Sequence, residues 1–442
     1  MYSSIRTGRV ALLFSLCFSS IVYSDTAQLP LSATTGPTPE LPPPKKSLIP
    51  TVHVASAKGW TENGKPQSAP GTQVNAFASG LSHPRWLYTL PNGDVLVAET
   101  DTPPKPDDSK GLKGTIYKSA QKRAGSGERP SENHITLLRD TDGDGKADVR
   151  MTLIEHLNSP FGMALVGTTL YVADTDAVLK FPYQEGETKI SAEATKVTDL
   201  PAGTLNHHWT KSLIANKDGS KLYVGVGSNS NVGENGMEAE EERAAVWEID
   251  TATGQHRIFA SGLRNPVGLA WDPDSGALWV AVNERDELGS DLPPDYMTAL
   301  HEGAFYGWPY SYYGQHVDDR VKQQRPDLVA KAITPDYALG PHTASLGLCA
   351  TGGNTLPSQF QRGMFVGQHG SWNREPFSGY KVVFVPFENG KPNGQPVDVL
   401  TGFLNDKGEA QGRPVGVVID KRGDLLVADD VGATVWRVSG AK

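Results

Sequence analysis

Arg264-Asn265-Pro266-Val267-Gly268-Leu269, the turn Asp274-Ser275-Gly276 and the run Leu278-Trp279-Val280-Ala281 decide the fold. Two short apolar runs joined by a Gly-bearing turn read as a pair of antiparallel strands. The same plan recurs in five further places. It is found at His83-Pro84-Arg85-Trp86-Leu87 with the turn Pro91-Asn92-Gly93-Asp94 and Val95-Leu96-Val97-Ala98, and at Ser159-Pro160-Phe161-Gly162 with Leu170-Tyr171-Val172-Ala173. His207-His208-Trp209 leads a third, with Lys217-Asp218-Gly219 and Leu222-Tyr223-Val224-Gly225. A degenerate copy covers 344–370, with Gly363-Met364-Phe365-Val366-Gly367 as its second strand. The last is Gly412-Arg413-Pro414-Val415-Gly416 with Arg422-Gly423-Asp424 and Leu425-Leu426-Val427-Ala428.

Six phased copies, each followed by further strand-like runs, predict an all-β, six-bladed β-propeller over 71–442. A pair of β-sandwiches also uses short strands and turns, but sixfold phasing favours the propeller. The copies lie roughly 50–80 residues apart, longer than common propeller repeats, which predicts long loop insertions at about 101–150, 230–243 and 285–340.

The 442-residue length suits one large repeat-built domain, and 38% apolar content supplies its core. Gly 47 and Pro 32 without a collagen-like period fit a turn-rich chain. Net charge is −9, from 41 Lys+Arg against 50 Asp+Glu. With no basic cluster, that balance argues against nucleic acid and anionic membranes as partners. Arg6, Arg9 and the apolar run Val10 to Val22 read as a signal peptide over 1–24, cleaved after Ser24, which predicts a periplasmic or secreted protein with no integral span after cleavage. Cys349 is then the one cysteine left, so no internal disulfide forms. Residues 25–70, rich in Pro, Ser and Thr, read as a linker or extended arm.

In a propeller the loops leading successive blades converge on one end of the central channel. Collecting those positions gives Arg85, His208, Arg264 with Asn265, His369 with Arg374, and Arg413. Cations converging in an acidic protein predict an anionic ligand, and a planar polycarboxylate suits guanidinium forks. His208 is the natural base. His207, its neighbour, faces the other way if the segment is extended.

These residues carry a resemblance. Asn206-His207-His208-Trp209-Thr210-Lys211, Arg264-Asn265-Pro266-Val267-Gly268, Val282-Asn283-Glu284-Arg285-Asp286, Gly303-Ala304-Phe305-Tyr306-Gly307-Trp308-Pro309, His369-Gly370-Ser371-Trp372-Asn373-Arg374 and Gly412-Arg413-Pro414 resemble the quinoprotein sugar dehydrogenases. That group comprises the soluble glucose and sorbosone dehydrogenases, and the likeness, over roughly 75–440, is closer to the sorbosone branch. It implies pyrroloquinoline quinone (PQQ) and Ca2+ at the channel mouth and oxidation of an aldose or sugar aldehyde by hydride transfer. A separate electron acceptor, a quinone or cytochrome, follows from the same likeness. It further implies His208 as proton acceptor, Arg264 as the stabiliser of developing charge, and Asn265 beside it on the cofactor. Arg85, His369, Arg374 and Arg413 join the cofactor set, and the backbone carbonyls at Arg285-Asp286 help hold Ca2+. The chain departs from the glucose-oxidising branch at Val415, where that branch has a second Arg, and at Leu157-Asn158-Ser159.

Asp140-Thr141-Asp142-Gly143-Asp144-Gly145-Lys146-Ala147-Asp148 is a separate signal. Alternating carboxylates with a following Gly predict a structural Ca2+ loop using Asp140, Asp142, Asp144, Asp148 and the Lys146 carbonyl. Met151 stands where an EF-hand would place its terminal Glu. Two other functions compete: a Ca2+-dependent propeller hydrolase of lactonase type, and a non-catalytic carbohydrate- or protein-binding propeller.

Overall fold

The structure, a computed structural model, describes residues 25–45, 51–104, 120, 122–125 and 131–441. The expected signal peptide at 1–24 lies outside the described residues, as does part of the 101–150 insertion. Among the described residues no helix is long and apolar enough to cross a membrane.

Six antiparallel sheets stand around a central axis, each led by one of the six repeats. Blade 1 begins with Pro84–Thr89 and Val95–Glu99, and blade 2 with Gly162–Val166 and Thr169–Ala173. Blade 3 begins with Leu213–Ala215 and Lys221–Val226, and blade 4 with Pro266–Trp271 and Leu278–Val282. Ser345–Ala350 and Gly363–Gln368 lead blade 5; Pro414–Ile419 and Leu425–Asp429 lead blade 6. The ring closes through the N-terminal strand Thr72–Ser79, which pairs with Thr434–Gly440 as the outer strand of blade 6.

Second strands such as Val95–Glu99, Leu278–Val282 and Leu425–Asp429 are buried along their whole length. Both of their faces meet neighbouring blades, so they read as unbroken apolar runs instead of alternating ones. The core therefore lies between blades. Tyr171 and Val178 pack on Leu222 and Trp247 between blades 2 and 3, and Trp279 and Met297 on Val366 and Val383 between blades 4 and 5.

The Gly in the first strands of blades 2, 4, 5 and 6 has a steric cause. A Cβ on Gly162 would lie 2.2 Å from Leu213 N, on Gly347 2.1 Å from Val415 O, and on Gly416 2.8 Å from Arg85 O. First strands of adjacent blades thus meet backbone to backbone around the axis, leaving no room for a side chain. Overpacking a tight core costs about 1–3 kcal/mol. Gly162→Ala is therefore expected to lower the melting temperature by a few degrees, read by calorimetry, and an unchanged melt would contradict this packing.

The insertions differ from expectation. His134–Arg139 lies inside the first, and Pro294–Ala299 and Tyr337–Pro341 inside the third; all three are blade strands. Residues 25–45 and 51–70 run against the propeller. Thr35–Gly36 adds a strand to the edge of blade 4, and Gln67–Ser68 one to blade 5. Between them the chain crosses the rim: Lys45 N donates to Leu288 O, His53 N to Trp372 O and Lys58 N to Ala410 O.

Candidate active site

At one end of the channel, the segments leading each first strand meet those leaving each second strand. His208 leads blade 3. Its Nδ1 lies 2.7 Å from Ser228 O, at the exit of the second strand of the same blade. A carbonyl only accepts, so Nδ1 carries the proton and Nε2 keeps its lone pair. Ser228 is held in turn: its Oγ donates to Ser230 O (2.7 Å), Ser230 Oγ donates to Glu240, and Glu240 also accepts from Asn229 N (2.6 Å). The insertion after blade 3's second strand is thus the brace behind the base. Burial, and then the Arg264 charge beside it, push His208 well below its ordinary range, so its imidazole is neutral.

Arg264 leads blade 4. Its Nη1 donates to Glu284 O (2.7 Å) and its Nη2 meets Asp286 Oδ2 (3.3 Å). Asp286 also accepts from Asn373 Nδ2 (2.7 Å), and its carboxylate lies 3.7 Å from His342 Nδ1. Burial opposes its charge, but the His342 contact and the Arg264 charge outweigh burial and hold the Asp286 carboxyl down to about 2. Asn265 sits beside His208, because a Cβ on Gly227 would lie 2.4 Å from Asn265 Oδ1 and 2.5 Å from His208 Cβ.

Blades 1, 5 and 6 supply a second group. Asp430 meets Arg85 Nη1 at 2.7 Å, His369 Nε2 at 2.9 Å and His83 Nε2 at 3.5 Å. Those partners keep Asp430 well below the usual carboxylate range despite its burial. Burial dominates at His369, which is pushed down to about 4 against the pull of Asp430. His369 is therefore neutral near pH 7 and donates Nε2–H, while Arg85 balances the Asp430 charge.

Of the residues expected from sequence, His208, Arg264, Asn265 and Asp286 come together on blades 3 and 4, and Arg85 and His369 around Asp430. Arg285 and Arg374 are engaged elsewhere, whereas Arg413 stands near His369 and keeps an unpartnered Nε. Arg285 is buried against Asp318, and Arg374 is tied to Ser290 O (2.8 Å), Pro376 O (2.8 Å) and Asp291 (3.6 Å). Both guanidinium groups are engaged by neighbouring loops, Arg285 by Asp318 and Arg374 by Ser290 and Asp291. Arg413 donates from Nη2 to Ala55 O (3.1 Å) and lies over the Tyr380 ring. The mouth is not purely cationic either, since Asp286 and Asp430 stand among the arginines. Sequence reasoning missed Asp430 and Ser228. A usable signal was the acid where the second strand ends: Glu99, Asp174 and Asp429 follow Ala98, Ala173 and Ala428, and each accepts the backbone N–H of its blade's leading loop, from Ser82, Asn158 and Arg413.

The acidic loop is only partly assembled. Asp140, Asp142 and Asp148 bring oxygens within 4.8 Å of one another, while Asp144 stands outside that group and accepts from Lys146 N (2.8 Å). Arg422 reaches Asp140 at 2.9 Å, so a guanidinium supplies positive charge where Ca2+ was expected.

Among the described residues, the buried polar atoms Arg85 Nε, Arg264 Nε, Arg413 Nε, Asn265 Oδ1 and Asn373 Oδ1 at the mouth have no hydrogen-bond partner. Buried unpaired donors are costly, and three guanidinium donors fit a ligand bearing several carboxylates, as PQQ does. The loop at Arg285-Asp286 does not fit Ca2+ as arranged. Of the two carbonyls expected there, that of Asp286 accepts from Arg285 (3.0 Å) and so faces a cationic donor.

Fold and mouth together define a six-bladed propeller with a buried, neutral His set among arginines over a central channel. The chain belongs to the TrAA12-like family, whose profile matches residues 132–303 and 313–441. It is 27% identical over 297 residues to an uncharacterized protein of Borreliella burgdorferi, covering 65% of this chain and 77% of that one. It is 26% identical over 311 residues to the pyrroloquinoline quinone-dependent pyranose dehydrogenase of Coprinopsis cinerea, covering 56% of this chain and 42% of that relative's length. The solved holo PQQ domain of the Coprinopsis cinerea pyranose dehydrogenase superposes with a TM-score of 0.67 at 21% identity, over 87% of this chain and all of that one, which shows the shared fold.

Proposed function

We propose that the protein is a PQQ-dependent sugar dehydrogenase oxidising the anomeric hydroxyl of an aldose. The observation that carries this is His208: buried, neutral, with Nδ1–H donated to Ser228 and Nε2 free, beside the unpartnered Nε–H of Arg264. PQQ would be held by Arg85, Arg264, Asn265 and Arg413, and would supply the two-electron, hydride-accepting chemistry that no side chain carries. His208 Nε2 takes the hydroxyl proton of the sugar. Arg264, fixed by Glu284 and Asp286, sets positive charge where negative charge develops. Support for PQQ comes from the Coprinopsis relative named for it.

Between a ring-form sugar and an open aldehyde of the sorbosone type, that relative's name supports the ring form. A separate electron-accepting partner, a quinone or a cytochrome, follows from the same proposal. Ca2+ has no assigned step here, because the Asp286 carbonyl expected to help hold it faces the Arg285 guanidinium. The hydrolase alternative needs free carboxylates for a metal, and Asp286 and Asp430 are paired with Arg and His partners.

The test is titration of purified protein with PQQ, followed spectroscopically, then dye reduction across an aldose panel with and without added Ca2+. Stoichiometric binding with sugar-dependent reduction is expected. Absence of binding under every metal condition would overturn the proposal.

A further inference from the structure

The arm 51–60 crosses the rim at the blades that carry the second polar group, outside the residues matched by the family profile. Trp60 Nε1 donates to Asp429 Oδ2 (2.7 Å), and Asp429 Oδ1 accepts the backbone N–H of Arg413 (2.7 Å). The Arg413 side chain returns to the arm through its Nη2 hydrogen bond to Ala55 O (3.1 Å). Arm and Arg413 therefore hold each other at two points, one through the backbone and one through the guanidinium. The Nε of that guanidinium has no partner. Trp60 is itself seated edge-on against Phe403 and Trp436, so its N–H is aimed by packing.

We propose that the N-terminal arm is a working part of the site, with Trp60 a positioning residue that fixes Arg413 through Asp429 and so sets the affinity for the carboxylate-bearing cofactor. This rests on the reading of Arg413 as a cofactor contact. The physical reason is preorganisation. An arginine already held in place loses less freedom on binding a carboxylate than a mobile one. Asp429 is buried and collects two indole and two backbone N–H groups, from Trp60, Trp436, Arg413 and Gly432. Losing one donor to a buried carboxylate loosens the group it anchors.

The test uses Trp60→Phe, which keeps an aromatic ring against Phe403 and removes the N–H, and Trp60→His, which restores a ring N–H. Two quantities are measured on the full chain: the PQQ dissociation constant, and hydrogen exchange at the Arg413 amide without cofactor. In Trp60→Phe the dissociation constant is expected to rise about tenfold and the Arg413 amide to exchange faster, with Trp60→His recovering part of both. A variant that melts earlier but keeps wild-type affinity and exchange would overturn the proposal and leave Trp60 a packing residue. If wild-type protein binds no PQQ, the cofactor reading fails by itself. Exchange then decides the rest: faster exchange in Trp60→Phe keeps the arm's hold on Arg413, and unchanged exchange removes it.

Discussion

His208→Asn is expected to bind PQQ with near wild-type affinity and to turn over sugar about 10²–10⁴-fold more slowly, the range for losing a positioned general base. Asn still offers an N–H to Ser228 O, so the loop behind it keeps its contact, but no lone pair of useful basicity then faces the mouth. The split is the diagnostic. A residue that merely packed the cradle would weaken binding together with turnover. The pH profile gives an independent check on the same group. His208 works as the neutral imidazole, and its acidity is shifted so that it stays neutral well below 6.5. As pH falls from 7, wild-type kcat/KM should therefore hold through 6.5 and drop only in more acid solution. Another imidazole of the mouth, His369, protonates at about 4. An acid limb centred at or above 6.5, or a His208→Asn enzyme of undiminished turnover, would remove His208 from the role of base.

The six leading strand pairs were legible because their cause is local and repeated. Second strands buried on both faces are largely apolar, first strands that meet backbone to backbone at the axis carry Gly in four blades, and each turn between them needs its own Gly or Asp. Gly268, Gly347 and Gly416 are the same constraint written three times. The outer strands were harder to see. Val149–Ile154 and Thr195–Asp199 are half exposed, so solvent tolerates polar residues there and no strong pattern accumulates. In the site, His208 and Arg264 were visible because they stand at equivalent repeat positions. The roles of Arg285 and Arg374 were not, because their partners Asp318 and Asp291 lie elsewhere in the sequence and only the folded chain brings them together. Asp430 was missed for a related reason: next to Asp429, it reads as a solvated turn, whereas the two acids face different partners.

Gly227→Ala carries the second large effect. Gly227 follows the second strand of blade 3 and occupies the space between the base and the cofactor side of blade 4. An added methyl would lie 2.5 Å from His208 Cβ and 2.4 Å from Asn265 Oδ1. The backbone there adopts no left-handed conformation, so alanine adds bulk without backbone strain. Asn265 Oδ1 is the end of a side chain and can swing aside, but His208 Cβ is attached directly to its backbone, so the imidazole must shift with the chain that leads blade 3. A displacement of about 1 Å costs on the order of 10²-fold in rate when the reacting atoms are no longer aligned. Gly227→Ala should therefore lose turnover by about that factor and, through Asn265, weaken PQQ binding as well. His208→Asn loses turnover alone, so the two variants separate proton removal from placement. Gly352→Ala is the control: the Cβ there meets nothing nearer than Pro273 Cγ at 3.7 Å, and it should leave rate and affinity unchanged. If Gly227→Ala behaves as Gly352→Ala does, His208 and Asn265 do not work from the positions they hold around this glycine.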